Sequence, residues 1–319
     1  MFSLKTLAAV LSLLGYEVYT VDRQDLQDCH QAEYSRRIQA CTDIAANVLA
    51  PSATRAYALS ERGLARVARH DFEGALKDYS EGIRIAPGYA WSYSNRGRLY
   101  QNASSFEQSI ADFSTAIRLE PSEALHFGLR GLSHHLNGDS ARATADFEQS
   151  LRLNPESADT YLYRGHMHLA AGDRDGAIAD FTETIRLEPE NTRAYAGRAE
   201  AYQGKDEHDR AIADAGDLLR LNPASAWAHA LRAASHRARG DLDAAIADYS
   251  ETLRIDPGYF AIHYERGILY RMKGDRERAI ADLREARQRY PYYAIAAQRE
   301  LQALGAEPAS NTGLLDLLK

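Results

Sequence analysis

The stretch that decides the fold is residues 124–157, ALHFGLRGLSHHLNGDSARATADFEQSLRLNPES. Its aromatic residue Phe127 is followed three, four and seven positions later by Arg, Gly and His, which is the spacing of one helical face. Gly138 favours a left-handed exit from that helix, and Asp139 can cap the next one. Pro155 stops the second helix. The stretch therefore predicts a pair of short antiparallel helices.

The same pattern recurs along the chain with a fixed period. Eight of the nine prolines mark it, with one gap of 36 residues and six gaps of 34: Pro51, Pro87, Pro121, Pro155, Pro189, Pro223, Pro257 and Pro291. A period of this length is typical of a solenoid, in which neighbouring repeats stack to bury a shared core. Seven units fit the period: 56–89, 90–123, 124–157, 158–191, 192–225, 226–259 and 260–293.

An arginine and an aspartate recur in every unit. Arg130 and Asp146 stand eight residues either side of the turn at Gly138, so they should face each other in an antiparallel hairpin. We predict an Arg–Asp ion pair within each hairpin, or passed to the next one. Seven identical pairs favour a structural role that fixes the register, and a polar ladder for a ligand is the alternative. The fifth unit has Ala215 and Gly216 where others carry an aromatic residue and a larger neighbour, so we expect looser packing there.

These offsets resemble the tetratricopeptide (TPR) repeat. In the fourth unit the matching residues are Gly165, His168 where the family often places Tyr, Ala177, Phe181 and Pro189. The resemblance covers roughly residues 56–293 and recurs seven times. It implies an all-α fold, a right-handed α-solenoid (superhelix) of antiparallel helix pairs. It also implies a partner, because members of the family usually bind proteins or peptides in the concave groove.

The first helix of each unit has a second face, opposite its packing stripe, that predicts the groove. Tryptophan recurs at one position of this face four units apart, and exposed Trp is a favoured binding anchor; packing between neighbouring hairpins is the alternative. The middle of the face is apolar, which favours an extended or helical apolar segment over a clamped C-terminal carboxylate. The predicted groove residues are Tyr57, Trp91, Asn95, Arg98, Leu125, Leu129, Leu132, Tyr163, His166, Arg193, Trp227, Leu231 and Tyr264.

Composition and motifs argue against the other function classes. The chain has 38 basic and 45 acidic residues, a net charge of −7, which disfavours nucleic-acid binding. It carries no phosphate-binding glycine loop, no His-Glu-x-x-His and no nucleophile elbow. We therefore predict a non-catalytic protein–protein interaction scaffold without cofactor or metal. The alternatives are an accessory subunit of an enzyme or envelope complex, and a metal-dependent enzyme.

The N-terminal region suggests export. Residues 1–20, MFSLKTLAAVLSLLGYEVYT, resemble a secretory signal with a poor cleavage site, or else a merely hydrophobic start. On one straight helix Cys29 and Cys41 would be about 18 Å apart, too far to bridge, but a reversal near residues 30–34 would let them meet. The segment also resembles the N-terminal cap of exported bacterial TPR proteins. We expect a structural disulfide in residues 21–55 and a periplasmic or secreted protein; two buried thiols in a cytoplasmic protein are the alternative.

The C-terminal region predicts a cap and a tail. Residues 294–305 should form a capping helix, which a solenoid needs to cover its last apolar face. Residues 306–319 should be a flexible tail. No run reaches the 18 apolar residues of a membrane span. We expect a monomer.

Overall fold

The computed structural model describes residues 21, 23–31, 33–289 and 291–307. The predicted signal (1–20) and residues 308–319 of the predicted tail lie outside these ranges. The described residues form seventeen α-helices and no strand, in the order α1 Arg23–Gln31, α2 Tyr34–Ala46, α3 Ser52–Ala68, α4 Phe72–Ile85, α5 Ala90–Asn102, α6 Phe106–Leu119, α7 Ala124–Leu136, α8 Ser140–Leu153, α9 Ala158–Ala170, α10 Arg174–Leu187, α11 Thr192–Gly204, α12 His208–Leu221, α13 Ala226–Arg239, α14 Leu242–Ile255, α15 Ala261–Met272, α16 Arg276–Arg289 and α17 Pro291–Ala303.

The chain divides into two compact units, each of which contains several of the 34-residue repeats. We call the part up to Tyr163 the first unit and the part from Arg164 the second unit. The first unit contains the N-terminal pair α1–α2 and the hairpins α3–α4, α5–α6 and α7–α8, and it ends within α9. The second unit contains the rest of α9 and the helices α10 to α17, paired in the same way. The predicted all-α, TPR-like solenoid of antiparallel helix pairs is confirmed.

In five of the seven hairpins a glycine of the first helix faces a large side chain of the second helix. In α7–α8 a Cβ on Gly131 would lie 2.8 Å from the ring of Phe147, which is itself fully buried. The two helices can therefore approach closely only because Gly131 has no side chain. The same contact recurs in the pairs Gly63–Tyr79, Gly97–Phe113, Gly165–Phe181 and Gly267–Leu283.

The turns inside the hairpins require a left-handed residue. Gly138 has φ +82°, and Gly172, Gly240 and Gly274 adopt similar angles. In three hairpins a residue with a Cβ takes that role: His70 (φ 61°), Ser104 (φ 56°) and Asp206 (φ 59°). The cap predicted at Asp139 is confirmed, because its carboxylate accepts a hydrogen bond from the Arg142 amide at 3.0 Å.

The predicted Arg–Asp pairs are confirmed, and all lie within a hairpin. Nε and Nη2 of Arg130 donate to the two oxygens of Asp146 at 2.8 and 2.7 Å, a bidentate geometry. The same arrangement holds in all seven hairpins: Arg62–Asp78, Arg96–Asp112, Arg130–Asp146, Arg164–Asp180, Arg198–Asp214, Arg232–Asp248 and Arg266–Asp282.

Four of these arginines also join neighbouring hairpins, which the sequence did not indicate. In Arg96, Arg130, Arg198 and Arg266 the remaining nitrogen, Nη1, donates to a hydroxyl sixteen residues earlier, on the second helix of the preceding hairpin. The acceptors are Ser80, Ser114, Thr182 and Ser250. At Arg232 the residue in that place is Gly216, so this bond is missing among the hydrogen bonds of the described residues. The arginine is thus a three-way tie wherever a hydroxyl is available.

In the fifth 34-residue repeat (192–225), where we expected loose packing, a side chain of the preceding hairpin fills the space. Ala215 is fully buried although it replaces an aromatic residue. The ring of Phe181, from the second helix of the preceding hairpin, reaches Gly197, where a Cβ would lie 2.4 Å from it. A residue of one hairpin therefore supplies volume that the next hairpin lacks, and the contact at Gly197 is tight.

Both described ends are covered by helices. Cys29 and Cys41 form the expected disulfide, with their Cα atoms 4.7 Å apart, and pack with Ile44 against the first hairpin. The chain reverses between α1 and α2, so the two sulfurs meet. At the other end α17 begins at Pro291, three residues before the predicted start, and buries Leu301 against the last hairpin.

Candidate partner-binding face

The predicted groove residues all lie on the first helices of the hairpins, and we call the surface that they form within each unit the first-helix face. In the first unit Tyr57, Trp91, Leu125, Leu132 and Tyr163 are partly exposed and Arg98 is exposed. Asn95 and Leu129 are different, since they are 8% and 4% exposed. Their side chains serve mainly as packing between helices, so they add little accessible surface to this face.

Trp91 is shared between the face and the packing of two hairpins. Its ring lies edge-on to the imidazole of His126 at 5.3 Å between centroids. His126 is fully buried, and its Nδ1 is 3.2 Å from the Ser94 hydroxyl. The carboxylate of Glu120 lies 3.4 Å from Nε2 without a hydrogen bond. Burial dominates here and lowers the pKa of His126 below its usual value.

The charges on the face of the first unit are unevenly satisfied. Glu61 is bound by Arg37 and by His30, whose Nδ1 is 3.1 Å away. Burial, and secondly the Glu61 carboxylate, raise the pKa of Tyr57. Arg98, by contrast, is exposed and makes no ion pair or hydrogen bond with any described residue. Arg98 is therefore an exposed cation of this face without an ion-pair partner among the described residues.

The second unit presents the more exposed tryptophan. Trp227 is 46% exposed, and Arg193, which precedes it by one repeat, is also exposed. Leu231 is partly buried and packs with Tyr195 and Leu218. The two residues occupy the same position of consecutive first helices, where the ring offers contact area and the guanidinium offers a charge.

Two further predicted residues of the second unit are engaged in packing. His166 lies edge-on to Phe181 at 5.0 Å, and Tyr264 stacks on Tyr293 of α17 at 4.6 Å. Sequence reasoning missed the ion pair between Arg237 and Glu265, which joins two consecutive first helices. Its only sequence signal is a spacing of 28 residues, close to one repeat.

Two other kinds of site find no support in the described residues. No group of three or more His, Cys, Asp or Glu side chains in these ranges is placed to hold a metal ion. No helix among those described is both long and apolar enough to cross a membrane.

Family models match the repeat region. A model described as "Tetratricopeptide repeat" matches residues 94–158, 137–191 and 162–226, and another of the same description matches 262–291. A model described as "TPR repeat" matches residues 235–274. The chain is a tetratricopeptide repeat protein. The TPR matches lie within the seven units that the proline period delimits.

Solved TPR structures share this fold at low identity. The chain matched in the APC/C hetero-tetramer Cut9-Hcn1 has a TM-score of 0.63 and 19% identity. The match covers 81% of our chain and 51% of the Cut9-Hcn1 chain, so our chain spans about half the length of that neighbour. The C-terminal part of a TPR repeat-containing protein from Cytophaga hutchinsonii has a TM-score of 0.59 and 16% identity, covering 81% and 98%. A TPR protein from Parabacteroides merdae has a TM-score of 0.53 and 18% identity, covering 79% and 99%.

Similarity at these identities shows the fold alone. No curated protein sequence matches the chain. The family nevertheless gives a general role, because the TPR fold is one that serves protein–protein interaction.

Proposed function

We infer that this TPR protein is a non-catalytic scaffold that binds a protein segment on its first-helix face. The observation that carries the proposal is Trp227, a large apolar side chain left 46% exposed on that face. Exposed tryptophan costs solubility and is a frequent anchor of protein interfaces. One fold neighbour is part of the Cut9-Hcn1 hetero-tetramer, so a similar architecture accommodates a protein partner there.

The chemistry of the face defines the partner segment. Its apolar residues suit aliphatic or aromatic side chains, and Leu125 and Leu132 of the first unit offer such a surface. Arg98 in the first unit and Arg193 in the second are exposed cations that an acidic side chain could pair with. We therefore propose an extended or helical apolar segment that also carries a carboxylate, with the ion pair setting orientation more than affinity.

We propose further that the protein works in an oxidising compartment, the periplasm or the extracellular space. The support is the buried Cys29–Cys41 disulfide, since such bonds persist mainly where thiols are not kept reduced. Alkylation of the native protein in exported and cytoplasmic fractions tests this. Blocked cysteines in the exported fraction support it, and freely alkylated thiols in a cytoplasmic pool would contradict it.

The binding proposal is tested by affinity capture with the full-length chain. Trp227→Asp should remove the partner and Arg98→Glu should weaken its capture, while Tyr292→Asp, at a residue 82% exposed on α17, should keep it. Circular dichroism should show equal helicity in all variants, because both tested side chains lie at the surface. Capture of the same proteins by all three variants and by the wild type would overturn the proposal.

A further inference from the structure

A second surface, away from the first-helix face, contains an apolar recess. It has a volume of about 460 Å³ and lies where the first two hairpins meet at their turns, with walls made mainly by Phe72, Leu76, Leu99 and Tyr100. The volume falls in the range of ordinary ligand pockets. Phe72 is 48% exposed although it begins a helix that packs well otherwise. The recess therefore leaves apolar surface in water.

The corresponding junctions of the second unit carry an intrachain ion pair. In each of them a basic residue at the C-terminal end of a hairpin's first helix pairs with an aspartate of the preceding hairpin. That aspartate lies in the first turn of the preceding hairpin's second helix. The pairs are Lys205–Asp175, Arg239–Asp209 and Lys273–Asp243. In each case an aliphatic stem crosses the junction and its charged end meets a carboxylate.

At the recess this cation is missing. Ala103 stands at the position that Lys205, Arg239 and Lys273 occupy in the second unit, and Glu73 stands at the position of their aspartates. Among the described residues, the carboxylate of Glu73 pairs with Lys77, one turn along its own helix, at 2.7 Å, and both side chains are more than 70% exposed. Exposed pairs of this kind exchange readily, so a second cation can replace Lys77.

We propose that the recess binds a partner segment in which a large apolar side chain is adjacent to Lys or Arg. The apolar side chain lies between Phe72, Leu76 and Leu99. The basic group takes the place of the missing intrachain cation on Glu73. The partner thus completes from outside the contact that the second unit makes within the chain. This inference does not depend on the first-helix face, which involves other residues.

The test is a methyl NMR titration of the full-length chain with acetyl-Phe-Lys-amide and acetyl-Phe-Glu-amide at millimolar concentrations. The basic probe should shift the Leu76 and Leu99 methyl signals and bind about three- to fivefold more tightly than the acidic probe, the effect of one exposed ion pair. Glu73→Gln should abolish that preference while leaving apolar binding.

Ala103→Lys is the decisive variant. The backbone there has φ −87° and ψ 9°, close to the φ −100° and ψ 5° of Lys205, so lysine fits without strain. The new lysine should close the recess over Glu73 and remove the methyl shifts, while Ala103→Ser keeps them. No shift at Leu76 or Leu99 in the wild type, equal affinity for both probes, or unchanged binding to Ala103→Lys would each overturn the proposal. Capture of partners through Trp227 should be unaffected by Ala103→Lys, which separates this site from the first-helix face.

Discussion

Removing one carboxylate of the repeated Arg–Asp pairs should destabilise its hairpin strongly. Asp146 is a suitable case, because its side chain is only 8% exposed and accepts two hydrogen bonds from Arg130. Charge-assisted bonds contribute about 1.5–3 kcal/mol each to stability. Arg130 remains 23% exposed and can regain water, which lowers the total. We expect Asp146→Ala to cost about 3 kcal/mol, within the usual range for breaking a buried pair.

The assay is amide hydrogen exchange along α7 and α8, since a repeat protein opens locally and a single unfolding free energy is poorly defined. Glu148→Ala is the matched control in the same helix, because its pair with Arg152 is 3.8 Å long and more than half exposed. It should cost less than about 0.5 kcal/mol.

The double variant Arg130→Leu with Asp146→Leu separates pairing from burial. It should cost less than Asp146→Ala alone, because no buried charge is left without its partner. The reasoning is refuted if Asp146→Ala exchanges like Glu148→Ala, or if the double variant is at least as destabilised as the single one.

Three further changes test other features. Gly216→Ser should supply Arg232 with the missing hydroxyl, because the space around Gly216 is open, and should raise the urea midpoint through a gain of about 1–2 kcal/mol in stability. Gly216→Ala measures the contribution of helix propensity alone, so a serine variant no more stable than the alanine variant would contradict the bond. Burial lowers the pKa of His126 in the folded chain, so as the pH falls the unfolded chain binds a proton before the folded chain does. Stability should therefore fall as the pH drops below about 6.5, the usual pKa of histidine. His126→Ser should make the urea midpoint less dependent on pH, and an unchanged pH dependence would refute this role. Reduction of the Cys29–Cys41 bond should cost about 3 kcal/mol and be seen as faster exchange in α1 and α2, whereas unchanged protection there would show that the bond is not needed.

Pattern alone was enough for the architecture and for contacts inside a hairpin. The proline period gave the repeats, and the antiparallel geometry placed Arg130 opposite Asp146 because both are counted from the same turn. The expectation of a Cys29–Cys41 disulfide came from the resemblance of this segment to the N-terminal cap of exported TPR proteins, on the condition that the chain reverses between the two cysteines. Such contacts depend on local spacing, which the sequence states directly.

The details of the candidate sites depended on contacts between hairpins. Helical periodicity put Asn95 and Leu129 on the first-helix face, yet the neighbouring helices bury both. The recess beside Phe72 could not be foreseen either, because its walls come from the side chains of two neighbouring hairpins.

By itself, then, the sequence determined that this chain folds as stacked helical hairpins held by Arg–Asp pairs, since a repeated pattern specifies the same local structure each time it occurs. Only the tertiary structure decided which side chains remain accessible, as with Trp227 against Leu129. The reason is physical: burial is a property of the space between helices, and that space depends on the size of side chains from two hairpins at once.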